Sequence, residues 1–240
     1  MQEIRLDSNE SRRLWRAERI INAVRLSARG RRSPIWRGWG EPFNGQYQRM
    51  RAIQQLVDRF QPDAFVETGT HFGFTTRHLA SYGVPVFTVE LDPGIRLFAK
   101  RRLRDRPNVT LIHGNSNVAL EWLASGAAIH RPLLYLDAHA PGELPLAAEL
   151  ETILARWQDF ALVIDDFKVD TDPGYEYWSF QGTPLALETL KLPDDVVAAF
   201  PGPPASSETG SRRGAVYVGR GDGAVAISEL AAIGLLTLSD

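Results

Sequence analysis

Five short apolar runs, each ending in a polar or acidic residue, constrain this chain more than any other feature. AFVE ends at Glu67, VFTVE at Glu90, VTLIHGN at Asn115, LLYLD at Asp137, and ALVIDD at Asp165 and Asp166. Successive ends lie 23, 25, 22 and 28 residues apart. A strand, a helix and two loops occupy about that many residues. The runs lack polar alternation, as strands buried on both faces of a parallel sheet do. The expectation is an α/β fold, a doubly wound, Rossmann-like, mostly parallel sheet with helices on both faces. Ligands of such sheets bind beyond the carboxyl ends of the strands, where the five polar ends fall.

The flanking regions read differently. Apolar residues at helical spacing among arginines predict an amphipathic helix over residues 10–26. Residues 30–45 (GRRSPIWRGWGEPFNG) read as a loop or arm. Residues 46–60 read as a helix that stops before Pro62. Residues 184–190 look helical, a strand is expected over 195–200, and residues 201–214 form a long loop. AVYVG and AVAIS, separated by RGDG, are expected to form a C-terminal β-hairpin.

Charge follows this division. Residues 1–60 carry 13 basic and 6 acidic side chains, and residues 61–240 carry 14 and 23, so a formal charge of −2 hides a basic extension and an acidic domain. The expected organisation is an Arg-rich helical extension over 1–60 and a catalytic domain over 61–240. The total charge does not suggest a nucleic-acid partner. With no apolar run of about 18 residues and no leader-like apolar segment, a cytoplasmic location and no membrane span are expected. The basic extension reads as an oligomerisation arm or, alternatively, a patch for an acidic partner or membrane surface. The absence of cysteine excludes a disulfide scaffold, a thiolate zinc site and a cysteine nucleophile.

After the first strand comes Glu67-Thr68-Gly69-Thr70-His71-Phe72-Gly73, then a helix opening near Thr75 and Thr76. Glycines at 69 and 73 allow a tight turn and close backbone approach to a ligand. Their spacing departs from the three-glycine dinucleotide fingerprint. E-x-G-x-x-x-G, with an acid 23 residues on, resembles motif I of the class I S-adenosylmethionine (SAM) methyltransferases, whose commoner form has a further glycine at the position of His71. The resemblance implies that Glu90 accepts hydrogen bonds from a ribose diol, and that Asn115 and Ser116 meet adenine. Asn115 stands where an acid is usual.

Asp137, Asp165 and Asp166 end adjacent strands. Three carboxylates in one pocket repel unless a cation offsets them, and hard oxygen ligands suit Mg²⁺, Mn²⁺ or Ca²⁺. Alternatively, they are surface, capping or salt-bridged acids. His139 is a candidate metal ligand or base. The set is similar to that of the metal-dependent sugar O-methyltransferases of bacterial natural-product and glycan pathways, over about residues 43–167. That resemblance implies SAM and Mg²⁺ (or Mn²⁺) as cofactors, with Asp137, Asp165 and Asp166 holding the metal. It also implies a cofactor set of Glu67, Thr68, Gly69, Thr70, Gly73, Thr75, Thr76, Glu90, Asn115, Ser116 and Asp137. Asp137 and His139 are the candidate catalytic residues. The implied activity is O-methylation of a saccharide or other small-molecule hydroxyl. The family's histidine falls three residues after the first Asp, whereas His139 falls two after. Tyr175, Tyr177 and Trp178 are candidates to stack on a sugar. Two other readings stand beside it: a metal-dependent hydrolase or hydroxylase-like enzyme, and a non-catalytic assembly protein on the same scaffold.

Overall fold

The computed structural model describes residues 1–6, 40–126, 128–138 and 144–239. The helix expected over residues 10–26 and the candidate base His139 lie outside them. The described chain builds one nine-stranded sheet with helices on both faces. Its strands are β1 (Gln2–Arg5), β2 (Ala64–Thr68), β3 (Val86–Glu90), β4 (Val109–His113), β5 (Pro132–Leu136), β6 (Phe160–Asp165), β9 (Val197–Pro201), β10 (Ala215–Arg220) and β11 (Leu236–Leu238). A separate two-stranded ribbon joins β7 (Ser179–Phe180) to β8 (Thr183–Pro184). The helices are α1 (Tyr47–Phe60), α2 (Phe74–Leu79), α3 (Pro93–Leu103), α4 (Ser116–Gly126), α5 (Leu146–Arg156) and α6 (Asp222–Ala232).

The strand order is β1-β4-β3-β2-β5-β6-β10-β9-β11. β1 to β6 are mutually parallel, and β10, β9 and β11 pair antiparallel. The order reverses between β2 and β5: the chain runs outward through β3 and β4, then returns to β5 on the other side. Such a reversal splays the loops apart and opens a crevice at the carboxyl ends. Gly69, after β2, and Asp137, after β5, face each other across it.

Strand parity divides the core. Val66, Leu134, Leu162 and Val216 point to one face, under α4 and α5 (Leu120, Leu123, Leu150, Ile153). Phe65, Leu133, Val163 and Tyr217 point to the other, under α1, α2, α3 and α6 (Leu56, Leu79, Leu103, Ile227). The central strands are buried on both sides, which is why their sequences read as unbroken apolar runs.

Several expectations change at the ends of the chain. The antiparallel strands near the C-terminus are present, but they are β9, β10 and β11. AVAIS lies inside α6, where Ala226, Ile227 and Leu230 bury one face. Gly221 adopts φ +60 and breaks the chain between strand and helix. Gly219 and Gly223 lie so close to neighbouring backbone that Gly223 has no room for a Cβ beside the Phe160 carbonyl. Residues 184–190 are not an α-helix: Pro184 ends β8, and Leu187–Thr189 form a single 3₁₀ turn. At the N-terminus, β1 joins the sheet edge parallel to β4, with Arg5 opposite His113. Glu3 pins it by ion pairs to Arg96 and to Lys100 (2.5 Å). α1 buries Ile53, Leu56 and Phe60 and packs on α6.

Candidate active site

The loop after β2 is folded by its glycines. Gly69 adopts φ +87, and a Cβ there would lie 2.5 Å from the Asp137 carbonyl oxygen. Gly73 adopts φ +75 at the start of α2, against Leu103. Between them His71 takes φ +48, a left-handed conformation uncommon for a side-chain-bearing residue. That conformation explains why a glycine suits this position. The loop is tied to β3, with Gly69 and Thr70 donating N–H bonds to the Val89 carbonyl at 3.0 and 2.9 Å.

Glu90 closes the loop from the next strand. One of its carboxylate oxygens accepts the His71 N–H and the other the Asp92 N–H, both at 2.8 Å. Each oxygen keeps a lone pair, so the carboxylate can still accept from a diol. Burial pushes its pKa up to about 7, against the pull of the two N–H donors. Asp92 in turn caps α3 through the N–H groups of Gly94 and Ile95.

Glu67 points into a buried cluster of hydroxyls. Its Oε2 accepts from Thr76 and from Thr88, each at 2.5 Å, and Thr70 and Thr88 share a hydrogen bond of 2.6 Å. Burial raises its pKa to about 7 despite those donors. Thr75 accepts from the Phe43 N–H at 3.2 Å and so fastens the chain that precedes α1 to α2. On the opposite face of the sheet Thr68 is fully buried. There the carboxyl of Glu149, only 1% exposed, is also raised to about 7 by burial, with Ser116 and Thr68 opposing the rise. Asn115 Oδ1 accepts the Asn117 N–H at 2.9 Å, which commits part of this side chain to starting α4.

The far side of the crevice is organised by arginines. Asp165 is 3% exposed and accepts from four donors. Arg49 Nη1 and the Asp166 N–H (2.8 Å) meet Oδ1; the Tyr135 hydroxyl (2.6 Å) and Asn44 Nδ2 (3.3 Å) meet Oδ2. Burial works most strongly against the Arg49 charge, but Asp165, Tyr135 and Tyr217 together outweigh it and the guanidinium holds its proton more firmly than usual. Asp166 adopts φ +57, and Arg213 grips both its oxygens, Nε at 2.9 Å and Nη2 at 3.3 Å. Arg49 Nη2 also donates to the carbonyls of Arg213 and Gly214, the latter at 3.1 Å. Asp137 is intermediate in exposure; burial raises its pKa well above the ordinary range, Asp165 and Asp166 add to the rise, and Arg49 opposes it.

The expected cofactor residues therefore lie at the carboxyl ends of β2, β3, β4 and β5 and at the starts of the segments that follow them. The expected metal set of Asp137, Asp165 and Asp166 is adjacent in space, as its strand positions require, but it does not fit a metal. Asp165 and Asp166 are each neutralised by an arginine. Among the described residues no three carboxylate or histidine side chains are gathered so as to hold a metal ion. Of the aromatic loop, Tyr175 is buried with its hydroxyl on the Pro203 carbonyl (3.1 Å), Tyr177 is exposed, and Trp178 packs on Phe180. Sequence reasoning missed Arg49, Asn44, Tyr135 and Glu149. Their partners lie far away in sequence, and nothing local to QYQRMR marks Arg49 as an ion-pairing residue.

The parallel sheet, its reversal point and the glycine loop beside an acid-tipped second strand are those of the class I SAM-dependent methyltransferase fold. A protein from Staphylococcus aureus assigned as a caffeoyl-CoA O-methyltransferase superposes with a TM-score of 0.51 at 13% identity, over 84% of this chain and all of that one. An rRNA methylase from Streptococcus thermophilus gives a TM-score of 0.48 at 17% identity, over 72% of this chain and 96% of that one. In sequence, 76 residues (32% of the chain) are 32% identical to the ribosomal RNA small subunit methyltransferase A of Syntrophus aciditrophicus, and this stretch spans 27% of that protein. No protein-family model matches the chain.

Proposed function

We propose that the chain is an SAM-dependent O-methyltransferase acting on a hydroxyl of a saccharide or related small molecule. The observation that carries this reading is the cradle between β2 and β3. Gly69 has no room for a Cβ, the following loop turns through left-handed residues, and the buried Glu90 carboxylate sits across from it. The residues fit SAM. Glu90 would receive the ribose hydroxyls, the 69–73 loop would take the amino-acid portion, and Asn115 and Ser116 would border adenine. Among the described residues, the buried carboxyls of Glu67, Glu90 and Glu149 have hydroxyl or N–H neighbours rather than a cationic partner, which suits a cationic ligand.

When bound, SAM supplies a sulfonium-borne methyl group that passes in line to the acceptor oxygen, leaving S-adenosylhomocysteine (SAH). Asp137, whose carbonyl abuts Gly69 at the mouth, would take the hydroxyl proton in its ionised form. His139 is the alternative base. Holding the oxygen in line is the remaining task, and Tyr177 and Trp178 are the aromatic surfaces available to a sugar ring. No step is assigned to a divalent metal, because two of the three carboxylates expected to bind it, Asp165 and Asp166, are each paired with an arginine.

An acceptor of nucleic acid is disfavoured by the acidic excess of residues 61–240. Self-association through the basic N-terminal region and a cytoplasmic location belong to the same proposal; among the described residues no helix is long and apolar enough to cross a membrane. Sedimentation over a range of concentrations tests self-association. The activity is tested with methyl-labelled SAM and a panel of saccharides, phenols and RNA. Label appearing in an alkali-stable ether of a saccharide supports the proposal; label confined to RNA contradicts it.

A further inference from the structure

We infer that Arg49 and Arg213 are the resident cations at the acceptor end of this site, and that the chain works there without a divalent metal. The inference rests on the O-methyltransferase reading and deepens it. Asp165 has its accessible lone pairs filled by Arg49, the Asp166 N–H, the Tyr135 hydroxyl and Asn44. An ion entering here would have to displace a guanidinium whose side chain, like that of Asp165, is almost wholly buried. Asp166 is gripped at both oxygens by Arg213, a fork-on-carboxylate geometry that a point charge does not reproduce.

The arginines are themselves held. Arg49 projects from α1 across to the carbonyls of Arg213 and Gly214, so the guanidinium also fixes the segment that carries the second arginine. Asn44 reaches Asp165 because Phe43 and Asn44 both take left-handed conformations, φ +51 and +58, locked by the Ser211 N–H on the Asn44 carbonyl at 3.0 Å. Gly210 packs so tightly on that carbonyl that a Cβ would overlap it. Backbone strain at three positions (Phe43, Asn44, Asp166) thus serves one arrangement, in which Asp165 and Asp166 are each paired with a guanidinium. Such positions persist only where the surroundings over-determine them.

The test uses the full-length chain and two independent readouts. Mn²⁺ binding is followed by the electron paramagnetic resonance of the free ion, up to millimolar concentration. SAH binding is followed by calorimetry in EDTA and in magnesium. The expected results are a free-ion signal that tracks total Mn²⁺, with no saturable site, and an SAH affinity that agrees within about twofold between the two buffers. One saturable Mn²⁺ per chain, abolished in Asp166→Asn, would overturn the inference, and so would SAH binding that requires magnesium. Asp166 is the position to vary because Asp165 supports the fold. Absence of SAH binding in both buffers instead counts against the SAM reading, and the Mn²⁺ titration decides the metal question regardless.

Discussion

Two groups of buried carboxyls share the carboxyl edge of one sheet, and they are neutralised in opposite ways. On the β2–β3–β4 side, Glu67, Glu90 and Glu149 face hydroxyls and backbone N–H groups, and each is pushed up to about 7 by burial. On the β6 side, Asp165 and Asp166 each face a guanidinium. Burying a charge without a partner is costly, so a carboxyl kept in that state points to a ligand or to protonation. The difference separates acids that face only neutral donors from acids whose charge is balanced by the chain's own arginines.

The largest expected effect is on the balanced side. Asp165→Ala leaves Arg49 buried without its counter-charge and should cost about 3–5 kcal/mol of stability in urea unfolding; a loss below about 1 kcal/mol would show that the pair is not organising this half. On the ligand side, Gly69→Ala forces a Cβ onto the Asp137 carbonyl and a side-chain-bearing residue into φ +87. A destabilisation of about 1–3 kcal/mol is expected, with SAH binding lost. Retained SAH affinity in this variant would break the assignment of the cradle.

Smaller effects sharpen the contrast. Glu90→Gln should weaken SAH by roughly ten- to a hundredfold, with little change in thermal stability, because the native carboxyl is disfavoured as a charge in the fold. A stability loss as large as that of Asp165→Ala would erase the distinction between the two groups. A further contrast is in pH. Glu67, Glu90 and Glu149 have folded-state values near 7, raised from an ordinary value near 4.5. Between those limits the folded chain holds protons that the unfolded chain has released. Stability should therefore fall as pH rises from about 4.5 through 7, because ionisation favours the unfolded state. SAM, carrying a sulfonium charge, should gain affinity over the same window, and SAH should gain less. Equal pH dependence for the two ligands would contradict a charge-based role.

The sheet was legible because parallel strands buried on both faces leave unbroken apolar runs, and because each run ends on a polar residue at the carboxyl edge. The cradle was legible for a related reason: Gly69 and Gly73 mark backbone that only glycine accommodates easily. β1 and β11 were not legible. They are short edge strands, half exposed, with too few apolar residues to show a period. AVAIS was misjudged because its β-branched residues suit a strand, whereas burial against β10 and β6 makes the segment a helix. The metal expectation came from three acids that do adjoin. What the sequence could not show was that Arg49, from a helix more than a hundred residues earlier, reaches the first of the paired acids, and that Arg213 folds back on the second. Long-range ion pairs leave no local pattern.

Calorimetric titration of the full-length chain with SAM and with SAH, in EDTA at neutral pH, tests the central claim most directly. One site per chain for each ligand, with the heat lost in Gly69→Ala and weakened in Glu90→Gln, is the predicted result. No binding of either ligand at millimolar concentration, by a chain that circular dichroism shows to be folded, would contradict it.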